Sequence, residues 1–122
     1  MHWNQDLGRI GEGLAINYLL DKGWIILERN WRYGRLELDL IAKVNTSLVF
    51  IEVKTRSQKK YGSPEESVIS QKEENIRKAS LAYIQKLKYN GEIRFDIISI
   101  ILDQKNEIRE IEHIEDAFFP GL

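Results

Sequence analysis

Leu36-Glu37-Leu38-Asp39-Leu40-Ile41-Ala42 and Leu48-Val49-Phe50-Ile51-Glu52-Val53-Lys54-Thr55 are the two runs on which the reading of this chain turns. Both are apolar and strand-like, with Asn45-Thr46 between them as a turn. A charge in the middle of a good strand is costly unless something pairs it. Asp39, Glu52 and Lys54 are such charges. A two-residue turn at Asn45-Thr46 would pair Val44 with Ser47. Counting back then sets Ile41 opposite Phe50, Asp39 opposite Glu52 and Glu37 opposite Lys54. Strand alternation puts Glu37, Asp39 and Ile41 on one face, and Phe50, Glu52, Lys54 and Arg56 on one face of the next strand.

Directly opposed side chains have Cβ atoms about 4.5–5.5 Å apart, and like charges there destabilise the pair. A proton on one carboxylate would relieve the repulsion. A divalent cation would relieve it better, because Mg²⁺ is held by one or two carboxylates together with waters and phosphate oxygens. Lys54 would then lie one pleat from the ion, placed to stabilise developing negative charge or to help deprotonate a water. Spacing alone leaves the alternative open, an ordinary ion pair between Glu37 and Lys54 on a solvated face. Glu12 lies at the border of the apolar side of the first helix, among small residues, where it could add a third carboxylate or simply face solvent. His2 and His113 stand apart from the acids and are read as surface residues.

Working outward, Leu7, Ile10, Leu14, Ala15, Tyr18 and Leu19 recur at helical spacing. Asp6 is the expected N-cap and Gly23 the expected stop, which gives a helix over about Gln5–Lys22. Trp24–Arg32 reads as a strand and Tyr33-Gly34 as a turn. Tyr61-Gly62-Ser63-Pro64 reads as a loop. Ser70 and Glu73 suggest a capping box for a second helix that runs to about Tyr89-Asn90-Gly91. Ile93–Leu102 is apolar enough for a central strand, and residues 107–111 suggest a weak last one. The order is helix, three strands, helix, one or two strands: an α/β sheet flanked by helices.

With 122 residues the chain suits a single domain, residues 1–122, with a core over about 5–102 and an acidic extension over 103–122. It has no cysteine, hence no disulfide and no zinc–thiolate site. It begins with neither a signal peptide nor a membrane span, so a soluble cytoplasmic domain with no membrane partner is expected. Net charge is −1, but residues 103–122 carry −4 and residues 1–102 carry +3. Lys54, Arg56, Lys59 and Lys60 form a short basic strip with no acid from 54 to 60. Such a strip can meet a polyanion without making the whole chain basic.

Several motifs now stand in order: Leu7-Gly8-Arg9-Ile10-Gly11-Glu12, Glu28-Arg29-Asn30-Trp31-Arg32, Glu37-Leu38-Asp39-Leu40-Ile41, Val49-Phe50-Ile51-Glu52-Val53-Lys54-Thr55-Arg56, Tyr61-Gly62-Ser63-Pro64 and Arg94-Phe95-Asp96. In this order they resemble the YraN-like proteins, a largely uncharacterised bacterial family assigned to the PD-(D/E)xK nuclease fold. That fold includes restriction endonucleases and Holliday-junction resolvases. The resemblance implies a single three-layer α/β domain, with an α-β-β-β-α-β core and a mixed central sheet flanked by helices. It maps Asp39, Glu52 and Lys54 onto the signature acid, acid and lysine, and Glu12 onto a helix glutamate of the resolvase-like branch. It implies Mg²⁺ or Mn²⁺ held by Asp39, Glu52, Glu12 and the Val53 carbonyl. Arg35, Arg56, Lys59, Lys60 and Lys72 would contact the nucleic acid. One departure stands out: the family usually has glycine just before its Glu-x-Asp element, where this chain has Leu36, with its glycine earlier, at Gly34.

The leading expectation is a metal-dependent endonuclease that cleaves DNA, including branched or otherwise structured DNA, with a homodimer as the simplest route to two-strand cleavage. The alternative is a non-catalytic nucleic-acid-binding module of a repair or recombination assembly. A third is a protein-interaction domain that docks through Phe118-Phe119-Pro120.

Overall fold

The computed structural model of the protein describes residues 3–57 and 69–118. His2, Lys59, Lys60, the Tyr61–Pro64 motif and Phe119-Pro120 lie outside them. Helix α1 (Trp3–Asp21) leads into three strands, β1 (Ile25–Tyr33), β2 (Leu36–Val44) and β3 (Ser47–Ser57). Helix α2 (Ile69–Leu87), β4 (Glu92–Leu102) and β5 (Ile108–Ile114) follow. The strands form one sheet in the order β1-β2-β3-β4-β5. β3 and β4 are parallel and every other neighbouring pair is antiparallel, so the sheet is mixed. A parallel pair needs a crossover, and α2 lies within it.

Local chemistry explains the boundaries. α1 ends in a Schellman motif: Trp24 N–H donates to Leu19 C=O (3.0 Å) and Gly23 N–H to Leu20 C=O (2.9 Å). Gly23 has φ +87°, a conformation that costs glycine little, so the expected stop is in place. The β1–β2 turn is Gly34-Arg35, with Tyr33 opposite Leu36, one residue later than the sequence suggests. The β2–β3 turn is Asn45-Thr46 as counted, with Asn45 at φ +53°. α2 begins at Ile69, so Ser70 lies inside the helix rather than before it. The last strand is Ile108–Ile114, longer than the 107–111 segment expected.

Each face of the sheet carries its own apolar cluster. Ala15 and Leu19 of α1 pack with Leu40, Ala42, Val49, Ile51, Ile98, Ile100 and Leu102. Ile76, Ala79 and Tyr83 of α2 pack with Leu38, Ile41, Leu48, Phe50 and Phe95. Leu40, Ile41 and Ala42 alternate between the two clusters, which sets the helices on opposite faces and makes three layers. No helix among the described residues is long and apolar enough to cross a membrane.

The α1 layer is clamped at one point. A Cβ on Gly11 would overlap Thr55 Oγ1 of β3 and lie 2.8 Å from both Thr55 Cβ and Cγ2. Only a glycine lets the helix approach this closely. Gly11→Ala is therefore expected to lower stability by about 1–3 kcal/mol. The measurement is urea unfolding; a midpoint equal to wild type would show that α1 does not rest on Thr55.

Candidate active site

Asp39 sits where the regularity of two strands fails together. Leu40 belongs to the α1-side core and Leu38 to the α2-side core, although they are two positions apart on β2. A regular strand would put them on the same face. Across the ladder, Arg29 pairs with Leu40 and Trp31 with Leu38, so Asn30 and Asp39 lie at the break. Asn30 has φ +53°, a left-handed conformation that asparagine tolerates better than most residues.

The break corrects part of the hairpin count. β2 and β3 pair as counted from Val44/Ser47 to Leu40/Ile51, Ile41/Phe50 included. The ladder then stops, so Asp39 and Glu52 are not a register pair. Asp39 Oδ2 instead accepts a hydrogen bond from Val53 N–H at 2.9 Å. The side chain takes the place of a backbone acceptor and props the strands apart. Glu37 does not face Lys54 either: it is exposed, with Arg32 of β1 as its register partner. The alternative Glu37–Lys54 ion pair is therefore absent, and Glu37 does not share a face with Ile41.

Charge converges on this splay. Asp39 is pushed up from 3.8 to about 7, first by burial and then by the neighbouring charge of Glu52, with a smaller push from Glu12. The Val53 N–H and Lys72 act in the opposite direction. Lys72, in the first turn of α2, forms an ion pair with Glu52 Oε2. Glu52, Lys54 and Lys72 line one cleft on the α2 side. Glu12 comes from α1, half-buried, and its Oε1 accepts from Asn30 Nδ2 at 3.1 Å.

The remaining sequence candidates are more scattered. Arg35 is exposed in the β1–β2 turn, four residues from Asp39 or about 13 Å along a strand. Arg56 is half-buried near the end of β3. Lys59 and Lys60 are outside the described residues. Among the described residues no three acidic or histidine side chains converge closely enough to hold a metal by themselves. What the site offers is two carboxylates, Asp39 and Glu52, with the Val53 backbone beside them and Glu12 at longer range. Oxygen donors of this kind suit a hard divalent cation that keeps waters and takes phosphate oxygens as its other ligands.

Two residues were undervalued in the sequence. Asn30 had a visible signal, since asparagine is depleted in strands. His113 had none, and the structure corrects its reading as a surface residue: its side chain is 4% exposed. Its Nε2 lies 2.8 Å from Asp96 Oδ2 and its Nδ1 lies 3.1 Å from the Tyr18 hydroxyl. Asp96 is fully buried and held bidentately by Arg94 at 2.9 Å on each oxygen. This network ties β4, β5 and α1 together on the α1 face, with Arg94 stacked over Trp24.

The raised Asp39 carboxyl fixes the sign of a pH effect. Between about pH 4 and 7 the folded protein holds a proton that the unfolded chain has released. This contribution to stability therefore falls as pH rises through that window and is level above it. Asp39→Asn keeps an acceptor for Val53 N–H and carries no charge. It is expected to be more stable than wild type by at least about 1 kcal/mol at pH 8, with the gain closing as pH falls toward 4. Urea midpoints across pH measure it; a gain independent of pH would exclude the shift.

Comparison with known proteins places the chain. The model of the uncharacterised protein family UPF0102 matches residues 11–100. A UPF0102 protein of Thermodesulfovibrio yellowstonii is 48% identical over 114 residues, which covers 93% of this chain and 96% of that one. UPF0102 proteins of Phocaeicola vulgatus and Clostridium botulinum are 41% and 42% identical over 119 and 121 residues, covering 98% and 97% of this chain and 97% and 98% of theirs. The chain belongs to the UPF0102 family, the YraN-like group that its motifs resemble.

Proposed function

We propose that this UPF0102 protein is a divalent-metal-dependent nuclease that hydrolyses phosphodiester bonds, with DNA, including branched or otherwise structured DNA, as its substrate. The observation that carries this reading is the pair Asp39 and Glu52, brought together at the splay between β2 and β3 beside two lysines. The resemblance to the PD-(D/E)xK nucleases supports it, as does the fit of the donor set to Mg²⁺ or Mn²⁺. When bound, the ion would polarise a phosphoryl oxygen and acidify a water.

The protein's own groups have distinct parts in this reading. Asp39 and Glu52 would hold the ion, and the Val53 N–H fixes which way Asp39 points. Lys54, on the cleft wall, offsets the negative charge that develops as water oxygen bonds to phosphorus and the leaving oxygen departs. Lys72 neutralises Glu52 and adds a cation for the flanking phosphate. Asn30 steadies Glu12 at the rim.

The ion pair between Lys72 and Glu52 also favours a second reading, a nucleic-acid-binding module without cleavage. Glu52 is already matched by an ammonium there, and the basic groups alone would bind phosphates, with affinity falling steeply as salt rises.

The test is cleavage of linear, nicked, flapped and four-way DNA, and of RNA, with Mg²⁺ and with Mn²⁺. Wild type is expected to cut. Asp39→Ala is expected to lose more than about 100-fold, beyond the cost of losing an outer-shell partner. Equal activity in Asp39→Ala would sink the mechanism. Oligonucleotide binding that persists with no manganese uptake by calorimetry would select the second reading.

A further inference from the structure

Next to the candidate site lies a cleft of about 180 Å³ between β3, α2, β4 and the segment after β5. Its charged lining is two lysines, Lys54 and Lys72, with two acids, Glu52 and Glu73. Its apolar lining is Ile76, Ile97, Ala117 and Phe118. Its volume is below the ~300 Å³ at which sites for drug-sized ligands begin, so it suits one flat ring system rather than a whole nucleotide. The aromatic wall is fixed in place. Phe118 packs on Phe95 with ring centroids 5.5 Å apart, and Phe95 stacks on Phe50 at 5.2 Å. Ala117 N–H donates to Phe95 C=O at 2.7 Å, which anchors the segment that carries Phe118. A ligand that uses both the apolar lining and the two lysines joins a flat apolar body to an anion. A nucleobase on its own sugar–phosphate has that form.

We propose that this cleft takes one unpaired nucleobase beside the phosphate held at Lys54 and Lys72. The site would thus act on single-stranded, flapped or flipped-out nucleotides rather than on an intact duplex. The inference rests on the nucleic-acid reading above and narrows its substrate. A base inside a duplex is stacked on both faces and paired along one edge, and cannot enter such a cleft unless it is extruded. An unpaired base can leave its neighbours and lie against an aromatic ring, a contact that tolerates any sequence.

The test uses the full chain in EDTA, so that binding is read without cleavage. Fluorescence anisotropy compares a short single strand, the same strand built of abasic sugar–phosphates, and the matched duplex, each as DNA and, for the base-bearing strands, as RNA. Wild type is expected to bind the base-bearing strand about tenfold more tightly than the abasic one. Ala117→Trp, which fills the cleft, and Phe118→Leu, which keeps the apolar contact to Phe95 but removes the flat ring, are each expected to erase that preference. Their affinity for the abasic strand should stay at the wild-type value, which also shows that they fold. Equal binding of base-bearing and abasic strands by wild type would overturn the proposal, as would a preference that survives in both variants. A base preference in a protein that never cuts would sustain the cleft and remove the nuclease reading. Cutting without a base preference would do the reverse.

Discussion

One hydrogen bond organises the functional end of this molecule: Val53 N–H to Asp39 Oδ2. In an unbroken antiparallel pair that N–H would meet a backbone carbonyl of the neighbouring strand. A side-chain carboxylate in its place ends the ladder after Leu40/Ile51 and opens a gap between β2 and β3 without leaving the donor unpaired. β2 and β3 stay joined by the Asn45-Thr46 turn below the gap, and β3 stays tied along its whole length to β4. The splay is therefore local, with rigid strands on either side. That is a sound base for side chains whose job depends on position.

The gap concentrates negative charge, and the fold answers from both layers. From the α2 side, Lys72 reaches Glu52. From the α1 side, Asn30 holds Glu12, and the close seat of Gly11 on Thr55 brings the helix near enough for Glu12 to influence Asp39. The balance is incomplete, since Asp39 still lies far above the ordinary carboxylate range. Carboxylates that repel one another in a sheltered place are common where a protein binds a cation or moves a proton, and purely structural acids are more often paired, as Asp96 is by Arg94.

Much of this was legible before any coordinates. The order of helices and strands, the hairpin turn at Asn45-Thr46 and the shared face of Phe50, Glu52 and Lys54 follow from period and turn chemistry. The register was right while both strands were regular. It failed at Asp39 because a count along strands assumes alternation, and alternation ends where Asn30 turns left-handed. The burial of His113 was out of reach for another reason. It depends on Asp96 and Tyr18, distant in sequence and joined only by β4–β5 pairing and the seating of α1. The pairing of Lys72 with Glu52 likewise needed the α2 crossover to be placed in space.

The kinked β1 has a further consequence, for solubility. β1 is an edge strand with Ile25, Leu27 and Tyr33 exposed. A flat, apolar edge of nine residues is a template on which another chain can add a strand and begin to aggregate. Here the register shift at Leu27 and the left-handed Asn30 divide the edge into short pieces that twist out of line. The irregularity that seats the acids thus also denies incoming strands a continuous row of donors and acceptors. Straightening β1 would damage the site and leave a stickier protein.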